Sequence, residues 1–569
     1  MSDLEVDLVC VGFGPATAGF LTTLARTPGL ESRVAPGSPL QVVCYERAED
    51  ISFGVSGLVT RARGIRASLP DLDPAAIPLA APVTREKLVY LADPIGASRR
   101  GRALRLMDRW LRSLDLAPDW AVELPYTPPF LRKHGGLVMS LGQFLQYVGG
   151  QLMTSGAVQI WPGMPVAEAL LEDGRVRGVR LTDQGVDRHG QPEAGYLPGM
   201  EVRALLTVVG DGPVGAVGRQ LEAAFPWPEG HSQREWALGM KVVAELPDDV
   251  DLAPGTVIHT LGYPEPEIFG FFYVQPGRVA TAGIFVPSWF LSPVRTAYRY
   301  LQHFLMHPYL WRHLSRARLR SWGAKSLRES GRRGEPMLAG DGFARIGEGS
   351  GSTNVLTGSG VDEAWTTGAQ LAEAVAAVLR AGKPFDRAHL EAAYVERRRR
   401  SWVEREARIA ERARDGFHRG FFPGLIGMAL AGLTGGRFAL GGAPRPMPLP
   451  DESAAGGHDA AMDARGWPAI PYDGRILLSH QDALLLGGKV QAPPGYADHV
   501  RFLDAAVCAR CRARLCVEMC SGQAITADGD GVPAFDREKC VHCGACLWNC
   551  EAHNLVFQAG AGGLRSSEN

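Results

Sequence analysis

The sequence predicts an α/β protein with a parallel, doubly wound sheet, an interleaved α+β part and a small cysteine-rich unit near its C-terminus. Three observations predict it. An apolar strand pattern, Leu8 to Val11, runs through Gly12-Phe13-Gly14-Pro15 into an apolar helix through Leu24, and a second strand, Gln41 to Tyr45, follows; this is the opening βαβ unit of a dinucleotide-binding sheet. Strand and helix patterns then alternate as far as Arg380, as in α/β architectures. Eight of the 10 cysteines fall after position 507, a density that demands disulfides or metal.

In the first unit, Gly12-x-Gly14 between strand and helix lets backbone N–H groups approach a pyrophosphate at a helix N-terminus, where the dipole favours anions. Glu46, ending the second strand, is placed to accept hydrogen bonds from a ribose. Thr17 stands where the fingerprint has its third glycine, and Glu46 lies further on than usual, so a tight turn without a ligand stays open from this segment alone. Two later pieces favour FAD. Met337 to Gly342 sets Asp341 after an apolar strand, where FAD enzymes bind the ribityl or phosphate region. Gly358-Ser359-Gly360 opens a helix whose N–H groups face a flavin pyrimidine ring. The expected cofactor-binding residues are thus Gly12, Gly14, Glu46, Asp341, Gly358 and Gly360.

Between these pieces the patterns predict a helix over Leu141–Thr154, strands over Arg175–Thr182 and Val202–Val209, and an aromatic strand region from Phe269 to Phe285. A helix near Ala297–Phe304 and another from Gly360 to Arg380 follow. The charged stretch Glu391–Arg414 predicts a long exposed helix, with Arg397 to Arg400 on its solvated face. Phe417–Leu440 is apolar and Gly-rich, and Pro-rich segments at Pro444–Pro450 and Pro468–Pro471 lead to the cysteine unit.

A chain of 569 residues exceeds what one core organises. With 46% hydrophobic and 21% charged residues the composition is globular. Lys+Arg 60 against Asp+Glu 61 offers no general attraction for nucleic acid, so no such partner is expected. Met1 to Glu5 is acidic and runs straight into a strand pattern, so no signal peptide is expected. The longest uncharged stretch, Gly420 to Gly436, is shorter than the roughly 20 apolar residues of a spanning helix. Cys10 and Cys44 sit in apolar strand runs and read as inert core.

The other cysteines carry the strongest pattern. Cys540-x2-Cys543-x2-Cys546-x3-Cys550 has the spacing of bacterial 4Fe-4S ferredoxins, in which three thiolates hold one cubane and the fourth reaches its neighbour. Cys508-x2-Cys511-x4-Cys516-x3-Cys520 repeats it with two extra residues. Ser521 and Glu551 replace the proline that often follows the fourth cysteine, and zinc remains the minority reading of such thiolates.

Further motifs are Gly135-Gly136-Leu137-Val138-Met139, Trp161-Pro162-Gly163-Met164, Asp183-x-Gly185-Val186-x3-Gly190, Val257-Ile258-His259-Thr260, Leu291-Ser292-Pro293, Asn354-Val355 and Ile470-Pro471-Tyr472-Asp473-Gly474. With these motifs in the family's order, the chain over nearly its whole length resembles the electron-transfer flavoprotein:ubiquinone oxidoreductases and the related Fix-type dehydrogenases. It implies an FAD-binding Rossmann-like domain, an interleaved α+β quinone-binding domain and a C-terminal ferredoxin-like 4Fe-4S domain. The expected boundaries are 1–495 for the flavoprotein body and 496–569 for the iron-sulfur unit. Within the body, FAD-binding segments fall at about 1–75, 135–225 and 325–390, and quinone and membrane-contact segments at about 76–134, 226–324 and 391–495. The resemblance also implies one cluster on Cys520, Cys540, Cys543 and Cys546; Cys508, Cys511, Cys516 and Cys550 then suffice for a second, as in a Fix-type dehydrogenase fused to its ferredoxin-like partner. One cluster at the least, and two by the spacing, are expected.

Departures fall close to the chemistry. Arg328 and Val361 are placed where the family has Asn and Thr near the flavin, and Ser140 where it has Arg. Ile268-Phe269-Gly270 replaces a Tyr-Gly-Gly stretch, so Phe269 and Gly270, with Phe271, Phe272 and Tyr273, are candidates for a quinone slot or plain core strand. Phe421, Phe422, Leu425 and Ile426 resemble the family's membrane-contacting region, flanked by Arg412, Arg414, His418 and Arg419; a buried hydrophobic hairpin is the alternative. The expected activity is electron transfer from reduced electron-transfer flavoprotein through 4Fe-4S and FAD to membrane ubiquinone or menaquinone, by a peripheral protein on the cytoplasmic side. A ferredoxin-fused reductase of a lipid-like, isoprenoid substrate and a non-catalytic electron-relay subunit are the alternatives.

Overall fold

The computed structural model describes residues 4–51, 55, 58–288, 297–441, 457–488, 490–511, 513–527, 529, 531–550 and 552–569. Leu291-Ser292-Pro293, Pro444–Pro450 and Glu551 lie outside the described residues. The elements that frame the site begin with β1 (Leu4–Val11), α1 (Pro15–Ala25), β2 (Val42–Tyr45), β3 (Arg85–Leu91), α2 (Arg102–Ser113), β4 (Ala121–Leu124), α3 (Leu141–Thr154) and β5 (Gln159–Trp161). They continue with β6 (Val166–Glu172), β7 (Arg175–Leu181), β8 (Glu201–Val209), β9 (Trp236–Glu245), β10 (Thr256–Leu261), β11 (Phe269–Gln275), β12 (Val279–Pro287) and β13 (Arg318–Arg328). The last are β14 (Ala339–Gly340), β15 (Phe343–Arg345), α4 (Val361–Arg380) and α5 (Phe421–Thr434).

The first sheet has the order β14-β15-β8-β1-β2-β5, with β7 on β8 and β6 on β7. Its centre is parallel: Leu8 to Val11 of β1 register with Leu206 to Val209 on one side and Val42 to Tyr45 on the other. Both faces are covered, so β1 is an almost continuous apolar run. Its buried acid, Asp7, is fully covered because its carboxylate accepts the N–H groups of Arg33, Val34 and Gln41 at 2.7, 3.2 and 2.8 Å. That clasp folds the long connection between α1 and β2, which explains the late position of Glu46.

Helices α1 and α4 cover one face and meet backbone to backbone. A Cβ on Gly368 would lie 1.8 Å from the Ala16 carbonyl, and one on Gly19 2.5 Å from that of Trp365. Thr17 fits where the fingerprint has glycine because Gly210 faces it: a Cβ there would lie 2.3 Å from Thr17 Oγ1. The close approach is kept by moving the glycine to the neighbouring strand.

The second sheet has the order β13-β9-β12-β11-β10-β3-β4 and is antiparallel except for β10 with β3. One face packs on helix Ala297–Leu305 through Leu238, Phe272, Ile284, Tyr300, Phe304 and Trp322. The other floors a cavity.

The charged stretch is not one exposed helix. A π-helical turn, Glu391–Val395, leads into Glu396–Arg400; the backbone breaks at Ser401 and restarts as Trp402–Ala410. Arg398 is buried, donating to Ser350 Oγ at 2.7 Å and to Glu335 at 3.3 Å, and Arg399 bridges Glu335 and Glu404. The arginine run is therefore a half-buried ion network, anchored by acids that lie outside it.

The C-terminal unit is built of short antiparallel pairs, Val500–Phe502 with Leu555–Phe557 and Ile525–Thr526 with Ala534–Phe535, around the small helices Ala505–Arg510, Leu515–Glu518 and Ala545–Asn549. It is clasped to the body by Arg188 on Asp498 at 3.0 Å, by Trp548 stacked on Trp236 at 6.0 Å between ring centres, and by the Ser326 N–H on the Cys543 carbonyl at 3.0 Å.

Candidate functional site

A cavity of about 320 Å³ lies at the C-terminal edge of the parallel sheet. Gly12 takes φ +82° and lies against Gly210, where a Cβ would stand 3.0 Å from its carbonyl. Gly14 precedes Pro15 at the start of α1 and has nothing within 4 Å of a Cβ, so the backbone is open to the cavity. Glu46 is on the wall; its carboxylate accepts the Phe13 N–H at 2.7 Å and the Ala48 N–H at 3.0 Å. Gly360, at φ +69°, leads into α4 on the opposite wall. These residues fit a dinucleotide: open N–H groups at a helix N-terminus for phosphates and an anchored carboxylate for a ribose.

Asp341 is not part of this wall. It sits in the turn between β14 and β15, where its side chain accepts the Arg387 N–H at 2.8 Å, and it lines neither cavity. The nearest carboxylate in sequence that does line the cavity, beside Glu46 and Asp211, is Glu348, in the Gly347-Glu348-Gly349 turn after β15; it accepts the Arg328 N–H at 3.0 Å and pairs with Lys325 at 2.9 Å. A Gly-acid-Gly turn closing a short strand was the sequence signal. Arg328 is likewise displaced: its guanidinium is buried on Glu222 at 2.6 Å and the Pro213 carbonyl at 2.8 Å, and the cations on the wall are Lys325 and Arg47. Val361 does line the cavity, and Ser140 caps α3 while donating to the Ser567 carbonyl at 2.8 Å.

A second cavity, of about 800 Å³, opens beyond Gly360. Val55, Lys325, Leu327, Thr353, Ser359 and Gly360 line both cavities and form the throat between them. Gly358, Phe269 and Gly270 line the larger one, as does Phe271. Strand alternation turns Phe272 to the opposite face and into the core, and the Tyr273 hydroxyl accepts the Leu58 N–H at 2.8 Å, so neither belongs to the slot. Walls are mostly apolar, with Lys325, His259 and Lys241 as the charged or titratable side chains on the sheet floor and Arg61, Glu329, Glu406 and Arg414 around it. His259 hydrogen-bonds Glu86 at 2.8 Å. Burial pushes His259 down; it also pushes Glu86 up, but hydrogen bonds from His259 and the Lys133 and His134 N–H groups outweigh it and hold the carboxyl below its usual range, so the pair is a neutral imidazole donating to a carboxylate. Lys241 is fully buried, and burial pushes its ammonium down to about 7.

The cavity's outer rim is apolar too. On α5, Phe421 is buried and Leu425 lines the cavity, whereas Phe422, Ile426 and Leu433 are exposed, Leu433 by 85%. Sequence reading by residue missed α2, which packs beside it through Leu104, Met107 and Leu111. Its outer side shows Leu106, Trp110 and Leu114, each at least half exposed, among the exposed Arg102, Arg105, Arg109 and Arg112. The signal was there: apolar residues every four positions between arginines.

The eight C-terminal cysteines are free thiols that fall into two quartets. Burial, then the charges of Cys550, Cys511 and Cys508, raise Cys516 to about 12. Burial, then Cys543, Cys520 and Cys540, and last Cys516, raise Cys546. Cys540 likewise feels Cys520 and Cys543. One quartet is thus Cys508, Cys511, Cys516 and Cys550, and the other is Cys520, Cys540, Cys543 and Cys546. Each is a set of four neighbouring thiols, the number a cubane requires. Sulfur acceptors are already supplied with donors: Asn554 Nδ2 lies 3.1 Å from Cys508, and the Ala524 N–H 3.1 Å from Cys520. Around Cys540 the ligand atoms of His499 and His542 lie within 4.8 Å of its sulfur and of each other, a compact set of metal-binding groups. Val541, His542 and Cys543 line the smaller cavity, while Cys511 is exposed. The second quartet thus adjoins the smaller cavity, and the first reaches the surface at Cys511.

No protein-family model matches the sequence. The chain is 25% identical over 580 residues to the electron transfer flavoprotein-ubiquinone oxidoreductase of Pseudomonas aeruginosa, covering 98% of both. It is 28% identical over 441 residues to the mitochondrial protein of that name from Dictyostelium discoideum, over 75% of this chain and 67% of that one. The relative from Arabidopsis thaliana is 25% identical over 98% of this chain and 83% of its own. Among solved structures, a geranylgeranyl bacteriochlorophyll reductase-like protein from Thermoplasma acidophilum shares the fold, with a TM-score of 0.52 over 82% of this chain and 96% of that one at 14% identity. From end to end, then, this chain resembles the electron transfer flavoprotein-ubiquinone oxidoreductases.

Proposed function

We propose that the protein is an electron-transferring-flavoprotein dehydrogenase: it takes electrons from reduced electron-transfer flavoprotein and delivers them to a membrane quinone. The observation that carries this reading is the continuous path of sites, from the exposed Cys511 through the second quartet to the first cavity and across the shared throat into the apolar cavity. Residues 1–495 form the flavoprotein body in this reading and 496–569 its iron-sulfur unit.

Bound FAD and 4Fe-4S clusters would supply the one- and two-electron chemistry that no side chain provides. The protein's residues position and insulate. Backbone N–H groups at Gly14 and the start of α1 hold phosphates, Glu46 orients the ribose, and the start of α4 faces the ring system. Glu348 balances Lys325 at the throat. Phe269, Phe271 and Phe285 keep water from the apolar cavity. Among the described residues no helix is long and apolar enough to cross a membrane; α2 and α5 suit one leaflet of the cytoplasmic face instead, with arginines at the headgroups and aromatic and aliphatic side chains below them.

Purified protein mixed with reduced electron-transfer flavoprotein and a short-chain ubiquinone should oxidise the flavoprotein with equimolar quinol formation. Flavoprotein oxidation without quinol would refute the reading. The size of the apolar cavity also supports a reductase of an isoprenoid substrate, and turnover of such a lipid without any quinone would favour it. A narrower test concerns the cofactor. Glu46→Gln should weaken FAD retention by about 10- to 100-fold, since a charge-assisted hydrogen bond is worth roughly 1.5–3 kcal/mol, whereas Asp341→Asn should leave FAD content unchanged. Flavin titration of both variants checks this.

A further inference from the structure

We propose that the Lys241 ammonium receives a carbonyl oxygen of the quinone at the throat and donates the proton that completes its reduction. This rests on the quinone-reducing function proposed above and adds the residue that handles the proton. In the cavity floor, one cross-strand row reads Gly323, Lys241, Gly283, Phe271, His259 and Leu88. Side chains of one row share a face, so Lys241 points into the cavity with Phe271 and His259. Glycine on either side gives it room. A Cβ on Gly283 would stand 2.5 Å from the Phe271 ring, which therefore leans over the glycine toward Lys241. A Cβ on Gly323 would stand 2.4 Å from Val55, a residue of the throat. Lys241 thus stands between an aromatic ring that could stack on a quinone and the passage to the flavin cavity.

A buried ammonium in an apolar sheet is costly to keep, and such groups mark functional sites. Lys241 already has a contact within the fold, and its three donors can hold that contact and a ligand oxygen together. The nearby Lys325 is less suited, because Glu348 pairs with it. In the step, two electrons from the reduced flavin convert the quinone C=O to C–OH; the new O–H bond forms as an Nζ–H bond breaks, leaving a neutral amine that water reprotonates. The second quinone oxygen takes its proton from solvent at the cavity mouth. Charged and titratable groups on the surrounding walls are Lys325 with Glu348, His259 with Glu86, Arg414 with Glu329, and Arg61 with Glu406.

The sign of the pH dependence follows. Donation needs the ammonium, so quinone reduction should be flat below about 7 and fall above it. Lys241→Met should lower quinone reduction by about 100-fold or more, in the range of a lost general acid, and abolish the falling limb. Lys241→Arg should also abolish that limb, because guanidinium stays charged. Reduction of ferricenium, which takes an electron and no proton, and FAD content should be unchanged in both. Near-normal quinone reduction by Lys241→Met, or a falling limb that survives in both variants, would overturn the role. Wild-type protein that reduces ferricenium but no quinone would instead overturn the quinone function, and this role with it.

Discussion

Cys550→Ala should strip iron from the quartet of Cys508, Cys511 and Cys516, 34 to 42 residues upstream, and spare the triad beside it in sequence. The quartets assign it so: Cys550 lies in the field of Cys511 and Cys508. Cys520→Ala should do the reverse, since Cys520 feels Cys543 and raises Cys540 and Cys546. The two extra residues between Cys511 and Cys516 do not separate the upstream set, since Cys516, in the helix Leu515–Glu518, still lies in the field of Cys511 and Cys508. Anaerobically purified protein should hold about eight irons per chain and each variant about four, by the stoichiometry of paired 4Fe-4S clusters. Iron analysis with electron paramagnetic resonance tells the clusters apart. About four irons in the unaltered protein, lost with Cys520→Ala and untouched by Cys550→Ala, would leave a single cluster.

Membrane binding should collapse when the outer side chains of α2 and α5 are replaced together. Trp110, Leu114, Ile426 and Leu433 are each at least half exposed, so serine there removes no core packing, unlike changes at Phe421 or Leu425. Burying a large apolar side chain contributes about 1.5–3 kcal/mol; at half that value four losses come to ~3–6 kcal/mol, about two to four orders of magnitude in affinity. Sedimentation with vesicles of phosphatidylcholine and phosphatidylglycerol should show the variant in the supernatant with an unaltered flavin spectrum. A variant that still pellets would place the membrane contact elsewhere.

What could be read from sequence was whatever is local. Gly12, Gly14, Glu46 and the cysteine spacings are contiguous motifs whose chemistry is fixed within a few residues. Asp341 misled because an acid-Gly pair also makes a hairpin turn, while the carboxylate at the cavity, Glu348, differs from the usual Asp. Arg397 to Arg400 looked solvated because Glu335, which buries Arg398, is some sixty positions away. Lys241 carries no local signal at all: its meaning comes from Gly283 and Gly323, placed beside it by strand register.

The backbone contact of α1 with α4 also governs when this protein can fold. Strand β1 finds its neighbour β8 only after residue 209, and α1 loses its exposed apolar face only once α4 exists. Some 350 residues separate the end of β1 from α4, so at roughly 5–20 residues per second a ribosome takes about 20–70 s to make the piece that closes the first unit. For that interval the N-terminal strand and helix are an open edge and an uncovered surface, and at the proposed site, which draws on Gly14 and Gly360 together, FAD would join only afterwards. Nascent chains arrested before residue 360 should therefore bind chaperone and no flavin, whereas chains released after Arg380 should gain both protease resistance and colour.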